Sequence, residues 1–294
     1  MIFILYHRQA IGCLLGLALG DAMGAPLEGL PAPTPRITRF TSGGLHYLRI
    51  GEYTDDTLQA SAVAASLVVC RGFEPHDLMQ RLIRAYLRAP RFFGPTSSAV
   101  FELVRRGAGA SAAAVLVHRL HGGSRSNGSV MRGPPIGIFY RPTRVRDVSI
   151  GCSRLTHCDR VAGECSAFVN LMASLLCRGS TRDAAFSQAL DACADPVLAD
   201  LLAAYRRYPL DPSLDAAAAT HCAVACFMEA ETPEDAILRA VNLGGDTDTI
   251  GAIAGALAGA AWGVDALPAR WLASLQDAPV LITLAMRLAA ASRP

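Results

Sequence analysis

Apolar residues recur at three- and four-residue steps along most of the chain, the period of a helix with one buried face. The pattern predicts helices over 8–19, 57–70, 75–87, 99–106, 110–121, 162–177, 182–194, 196–207, 215–231, 233–241, 249–262 and 268–275. Three starts carry helix-initiation chemistry: Thr232-Pro233 before Glu234, Asp195-Pro196, and Thr181 before Asp183. Only 36–40 reads as a short extended segment. Pro- and Gly-rich stretches at 24–44, 90–95 and 122–143 are too short for linkers. The expectation is an all-α protein, a single compact domain over 1–294.

Two glycine series interrupt this pattern. Gly12, Gly16, Gly20 and Gly24 recur every four residues, as do Gly251, Gly255, Gly259 and Gly263. A helical glycine costs roughly 0.8–1.0 kcal/mol against alanine, so two such stripes imply a use. In lipid they would mark helix pairing, but carboxylates flank both. The expectation is that the two helices meet backbone to backbone at the centre of the molecule.

Composition narrows the function classes. The 294 residues are 52% hydrophobic and 18% charged, which excludes a disordered chain and demands a large core. The net charge of +2 gives no electrostatic footprint for nucleic acid. Every one of the 27 cations is arginine, which with the abundant alanine reads as base-composition bias. A mean hydropathy of +0.31 raises the question of a membrane. His7, Arg8 and Gln9 break the first apolar run, Asp21 and Glu28 follow it, and Asp246 and Asp248 precede the run at 250–264. A soluble, cytoplasmic monomer is expected. None of the nine cysteines forms a C-x-x-C pair, so reduced core thiols are expected.

Two acidic clusters stand where loops enter helices: Thr54-Asp55-Asp56-Thr57 and Asp246-Thr247-Asp248-Thr249. Helix capping explains one carboxylate at each start. It does not explain two carboxylates and two threonines at both. Four such carboxylates, if they meet, repel, and a hard divalent cation resolves the repulsion; oxygen donors without His or Cys point to Mg²⁺ or Mn²⁺. Metal binding and capping both stay open on spacing alone. Asp21 reads as a cap or an arginine partner, and Glu28, in a Pro- and Gly-containing loop, as a mobile acid/base or a gate. The polar loop Gly122–Ser129 offers amides for an anion nest or is an ordinary connection, and it lacks the lysine of a P-loop. His157 stands alone before a helical run, and no nucleophile elbow accompanies it.

Five ordered segments, GCLLGLALGDAMGAPLE (12–28), YTDDT (53–57), SNGSVMRGPP (126–135), LTH (155–157) and NLGGDTDTIG (242–251), resemble the ADP-ribosylglycohydrolase family, which includes the dinitrogenase reductase-activating glycohydrolases. The resemblance covers roughly residues 8–275. It implies an orthogonal bundle of helices around a central cleft with two divalent cations, Mg²⁺ or Mn²⁺. By motif position Thr54, Asp55, Asp56, Asp246, Asp248 and Thr249 would hold the metals. Asp55, Asp56, Asp248 and Glu28 would take part in catalysis. Gly94, Gly123, Ser124, Arg125, Asn127, Gly128, His157 and Gly245 would contact an ADP-ribose unit. The implied reaction is hydrolysis of the bond between ADP-ribose and a protein side chain, a nucleobase or a small molecule. The partner would be an ADP-ribosylated protein or another ADP-ribose conjugate.

Two departures touch specificity. Some arginine-acting relatives carry an acid near Gly94, whereas 90–96 here reads Pro-Arg-Phe-Phe-Gly-Pro-Thr, which favours a different linkage or a different helper group. Arg125 stands where some relatives place an aromatic on adenine, and a guanidinium also stacks. Two rivals share this fold: an ADP-ribose-binding or immunity module, and a structural protein of crystallin type. The intact aspartates favour an enzyme.

Overall fold

A computed structural model describes residues 2–292; Met1, Arg293 and Pro294, which the expected domain includes, lie outside the described residues. The chain forms α1 (Ile2–Gly24), α2 (Asp55–Cys70), α3 (Pro75–Arg88), α4 (Pro95–Arg105), α5 (Ala110–Leu120), α6 (Pro134–Phe139), α7 (Pro142–Ser153), α8 (Arg160–Cys177), α9 (Arg182–Asp191), α10 (Pro196–Ala203), α11 (Ala216–Glu229), α12 (Pro233–Val241), α13 (Thr247–Trp262), α14 (Ala269–Leu272) and α15 (Ala278–Ala291). Among the described residues there is no β-strand. The all-α expectation holds.

Three of these helices escaped the periodicity. In α6 and α7 the prolines read as loop formers, yet Pro134 and Pro142 open their helices, where a missing N–H costs nothing. The pattern in 278–291 was also missed; this helix, α15, packs on α1 and α2. The segment 36–40 is irregular. Ile37 pairs instead with a side chain: its N–H donates to Asn242 Oδ1 (2.8 Å), and Asn242 Nδ2 donates to its carbonyl (3.1 Å).

The glycine stripes meet as expected, antiparallel. A Cβ built at Gly12, Gly16 or Gly20 would lie 2.3, 2.1 or 1.9 Å from the carbonyl oxygen of Gly259, Gly255 or Gly251. At Gly24 it would strike the Thr247 carbonyl at 2.3 Å, and the Thr247 hydroxyl donates to the Gly24 carbonyl at 2.9 Å. Only glycine permits that approach. Gly263 instead closes α13 at a positive φ of 80°. Helix α1 supplies most of an apolar stretch, Leu5–Leu27, long enough to cross a membrane, but 89% of an 18-residue window of it is buried within the protein. It is the central core helix. Of the nine cysteines, Cys13, Cys152, Cys165, Cys177, Cys222 and Cys226 are buried, and all nine are free thiols.

This register positions chemistry. The C-terminal end of α1, with Asp21, lies beside the N-terminal end of α13, with Asp248. The loop after α1 carries Glu28 across the same point.

Candidate active site

Asp21 is fully buried and reaches from α1 to the start of α2. Its carboxylate accepts from Thr54 N–H (2.9 Å), Thr54 Oγ1 (2.8 Å), Thr57 N–H (2.9 Å) and Thr57 Oγ1 (2.6 Å). It therefore caps α2 from another helix, while Thr54, at the cap position, makes no side-chain cap bond. At α13 the cap-position Asp246 likewise makes none. Capping consequently does not account for Asp55, Asp56 or Asp246. Of the other cluster carboxylate, Asp248, one oxygen accepts the Thr249 N–H (2.9 Å).

These groups converge. A cleft of about 590 Å³ is lined by Glu28, Asp55, Asp56, Asp246, Asp248 and Thr249, a volume typical of small-molecule sites. One oxygen each of Glu28, Asp246 and Asp248 lies within 4.8 Å of the others. Asp56 Oδ1 is buried without a hydrogen-bond partner. Burial first, and then the neighbouring charges, push Asp55, Asp56 and Asp248 well above the usual carboxylate range. Asp246 is pushed the same way, by burial and then by Asp248. Glu28 rises to about 7 through burial and the charges of Asp246 and Asp21. An all-oxygen set with an unpaired buried carboxylate oxygen fits hard divalent cations.

The same cleft is also lined by Gly94, Ser124, Arg125, Asn127, Gly128 and His157. Asn127 Nδ2 donates to Asp246 Oδ2, tying the polar loop to the acidic wall. The amides of Gly122, Gly123 and Asn127 are already paired, with the carbonyls of Arg119, His118 and Leu214. The loop thus offers hydroxyls rather than these three amides: Ser124 and Ser126 join Thr96 within 3.2–3.4 Å. His157 is buried and held down to about 3, by burial first and then by Arg132 and His118. It is neutral, with Nε2 3.1 Å from Ser126 Oγ. Arg125 pairs with Asp215 at the start of α11 (2.5 Å).

Three expected residues do not line the cleft: Thr54, Gly123 and Gly245. The Thr54 hydroxyl is engaged by Asp21. Gly245 holds backbone, its N–H on the Leu30 carbonyl and its carbonyl accepting from Gly29 N–H, both 2.8 Å. Sequence reading missed Thr96, His121 and His46 on the walls and Gln59 behind them. Gln59 was findable, since four residues place it over Asp55 on one helical face. His46 was not, because a loop near Gly43 and Gly44 carries it.

A profile described as ADP-ribosylglycohydrolase matches residues 4–294. The chain belongs to the ADP-ribosylglycohydrolase family. It is accordingly a glycohydrolase by kind. A protein of Serratia proteamaculans named ADP-ribosylarginine hydrolase Tri1 is 29% identical, covering 95% of this chain and 78% of its own. The ADP-ribosyl-[dinitrogen reductase] glycohydrolase of Rhodospirillum rubrum is 27% identical over 92% and 90%. A solved structure titled ADP-ribosylglycohydrolase-related protein complex superposes with a TM-score of 0.85, at 32% identity, covering 98% of this chain and 99% of that one. The glycohydrolase fold thus spans the described chain.

Proposed function

We propose that this glycohydrolase removes ADP-ribose from a modified target by hydrolysing the bond at the anomeric carbon of the terminal ribose. The observation that carries the reading is the convergence of Glu28, Asp55, Asp56, Asp246 and Asp248 on one cleft while Asp21 does the capping. Asp55, Asp56, Asp246, Asp248 and Thr249 would hold two divalent cations, Mg²⁺ or Mn²⁺. When bound, such cations supply Lewis acidity toward ribose hydroxyls and water.

The chain's own groups do the rest. Breaking the glycosidic bond develops positive charge on the ribose, and the carboxylates below it stabilise that charge. Glu28, at the rim and partly exposed, takes a proton from the entering water or returns it to the leaving group. The hydroxyls of Thr96, Ser124 and Ser126 and Nε2 of His157 bind the diphosphate and ribose oxygens. Arg125 flanks the adenine end. The rim at 90–96 carries Arg91, stacked 4.5 Å from the Phe92 ring, and no carboxylate, which favours a leaving group other than a guanidinium. The substrate is an ADP-ribosylated protein or another ADP-ribose conjugate. We place the enzyme in the cytoplasm, as a monomer, on the strength of its nine free thiols for the first.

The test is Asp56→Ala beside Asp248→Ala, assayed for ADP-ribose release from arginine-, serine-, nucleobase- and O-acetyl-linked substrates. Each variant is expected to lose activity and the thermal shift produced by Mg²⁺ or Mn²⁺. Wild-type turnover in both would end the assignment.

A further inference from the structure

Arg132 is fully buried between the polar loop and α6, and among the described residues no carboxylate pairs with it. Its Nη1 donates to Gln59 Oε1 (3.0 Å), and its Nη2 donates to the Cys152 carbonyl (2.9 Å) and to Thr156 Oγ1 (2.8 Å). Placing a guanidinium out of water without a counter-charge costs several kcal/mol. A residue that only held α6 to α7 would pack more cheaply as an apolar side chain.

The consequence lies in hydrogen-bond direction. Arginine has donors only and keeps its proton. Gln59 must therefore turn its oxygen toward Arg132, which leaves its Nε2 as the donor to Asp55 Oδ2 at 2.7 Å. Thr156 Oγ1, having accepted from Arg132, has its own proton to give. Its one other partner among the described residues is His157 Nδ1, at 2.7 Å. The hydroxyl has a second lone pair, but accepting from an Nδ1–H as well would leave the buried Thr156 proton without a partner. The favoured arrangement therefore has Nδ1 accepting and the imidazole proton on Nε2, facing Ser126 and the cleft.

We propose that Arg132 is a positioning residue that sets the donor and acceptor polarity at two points in the cleft lining: through Thr156 it holds His157 as the Nε2–H tautomer, a hydrogen-bond donor to an oxygen of the substrate's diphosphate or ribose, and through Gln59 it holds Asp55 in one orientation. The substrate clause rests on the hydrolase reading above; the tautomer clause does not. With the other tautomer, His157 would present a lone pair to phosphate or hydroxyl oxygens, and the wall would repel the anion it is shaped to receive. Histidines that orient through a fixed partner on the far nitrogen follow the same logic at metal sites.

The experiment uses the full chain labelled with ¹⁵N-histidine. Long-range nitrogen–proton spectra report which ring nitrogen of His157 bears the proton, and calorimetry measures binding of ADP-ribose and, separately, of Mn²⁺ alone. Wild type is expected to show Nε2–H. Thr156→Val, which keeps the shape and removes the hydroxyl, is expected to mix the tautomers and weaken ADP-ribose about tenfold, the effect of one buried hydrogen bond, with Mn²⁺ affinity unchanged. Thr156→Ser restores both. Arg132→Gln is expected to mix the tautomers and to weaken Mn²⁺ as well, through Gln59 and Asp55. An Nδ1–H tautomer in wild type, or an Nε2–H tautomer untouched in folded Thr156→Val, overturns the proposal. If the tautomers shift as stated but wild type binds no ADP-ribose, the substrate clause and the hydrolase reading fall together, and Arg132 stands as the positioning group.

Discussion

Gly16→Ala isolates the contact on which the bundle is built. The new methyl would lie 2.1 Å from the Gly255 carbonyl oxygen, 1.3 Å inside the 3.4 Å at which ordinary contact begins. Both sides are helical backbone, so no side chain can turn away. The helices must part by about an ångström, and a gap of 0.5–1 Å already forfeits a quarter to a half of each dispersion contact. Overpacking of rigid cores costs about 1–3 kcal/mol and occasionally more. Two backbones in opposition place this site at or above the top of that range, so after about 1 kcal/mol of helix propensity is regained the net loss is roughly 2–4 kcal/mol. Gly163→Ala is the matched comparison. It is also buried and helical, but its methyl would meet Ile150 Cγ1 at an ordinary 3.8 Å, so it should be neutral or stabilising by up to about 1 kcal/mol. Urea denaturation followed by far-UV circular dichroism reads both. Equal midpoints for the two variants would refute the reasoning.

Other outcomes follow from the same geometry. Asp21→Asn can no longer accept from both N–H groups and both hydroxyls of Thr54 and Thr57, and should lose about 2–3 kcal/mol, a lost cap plus a stranded buried donor, read as a lower melting temperature. In chelator, the buried carboxylates Asp55, Asp56, Asp246 and Asp248 have folded pKa values raised above their unfolded ones. Their contribution is therefore complete below about pH 4, the unfolded value, and is lost as pH rises through the folded values. The chelated protein should melt at a lower temperature at pH 8 than at pH 5, and excess Mn²⁺ should abolish that slope; a flat profile in chelator would contradict the cluster's burial. His157 behaves oppositely. Its folded value near 3 lies below the unfolded 6.5, so its contribution is present above pH 6.5 and declines toward pH 3, and His157→Gln should flatten the acid limb of the metal-loaded enzyme's stability profile.

The fold class was legible because burial in helices writes a local period. Alpha6 and α7 were not, since Pro134 and Pro142 look the same whether they break a helix or begin one. The glycine stripes were legible as a pair for a physical reason: two four-residue periods make sense only against each other. Of the site, Asp55, Asp56, Asp246 and Asp248 could be read because their density exceeds what capping needs. The capping role of Asp21 toward Thr54 and Thr57 was hidden, because its partners stand 33 and 36 residues away in a different helix. The same holds for Arg132, whose partners Gln59 and Thr156 come from two other segments and whose motif gave it no role.

The pairing of α1 with α13 also bears on how the polypeptide is made. The Thr247 hydroxyl meets the Gly24 carbonyl across 223 residues of sequence. At 5–20 residues per second, the ribosome needs roughly 10–45 s to deliver the second helix after the first has emerged. Throughout that interval a long apolar helix with a bare glycine face has no mate. The nascent chain must be shielded by a chaperone or by provisional contacts with α2 and α8, and any message cut short before α13 yields a product without its central seam.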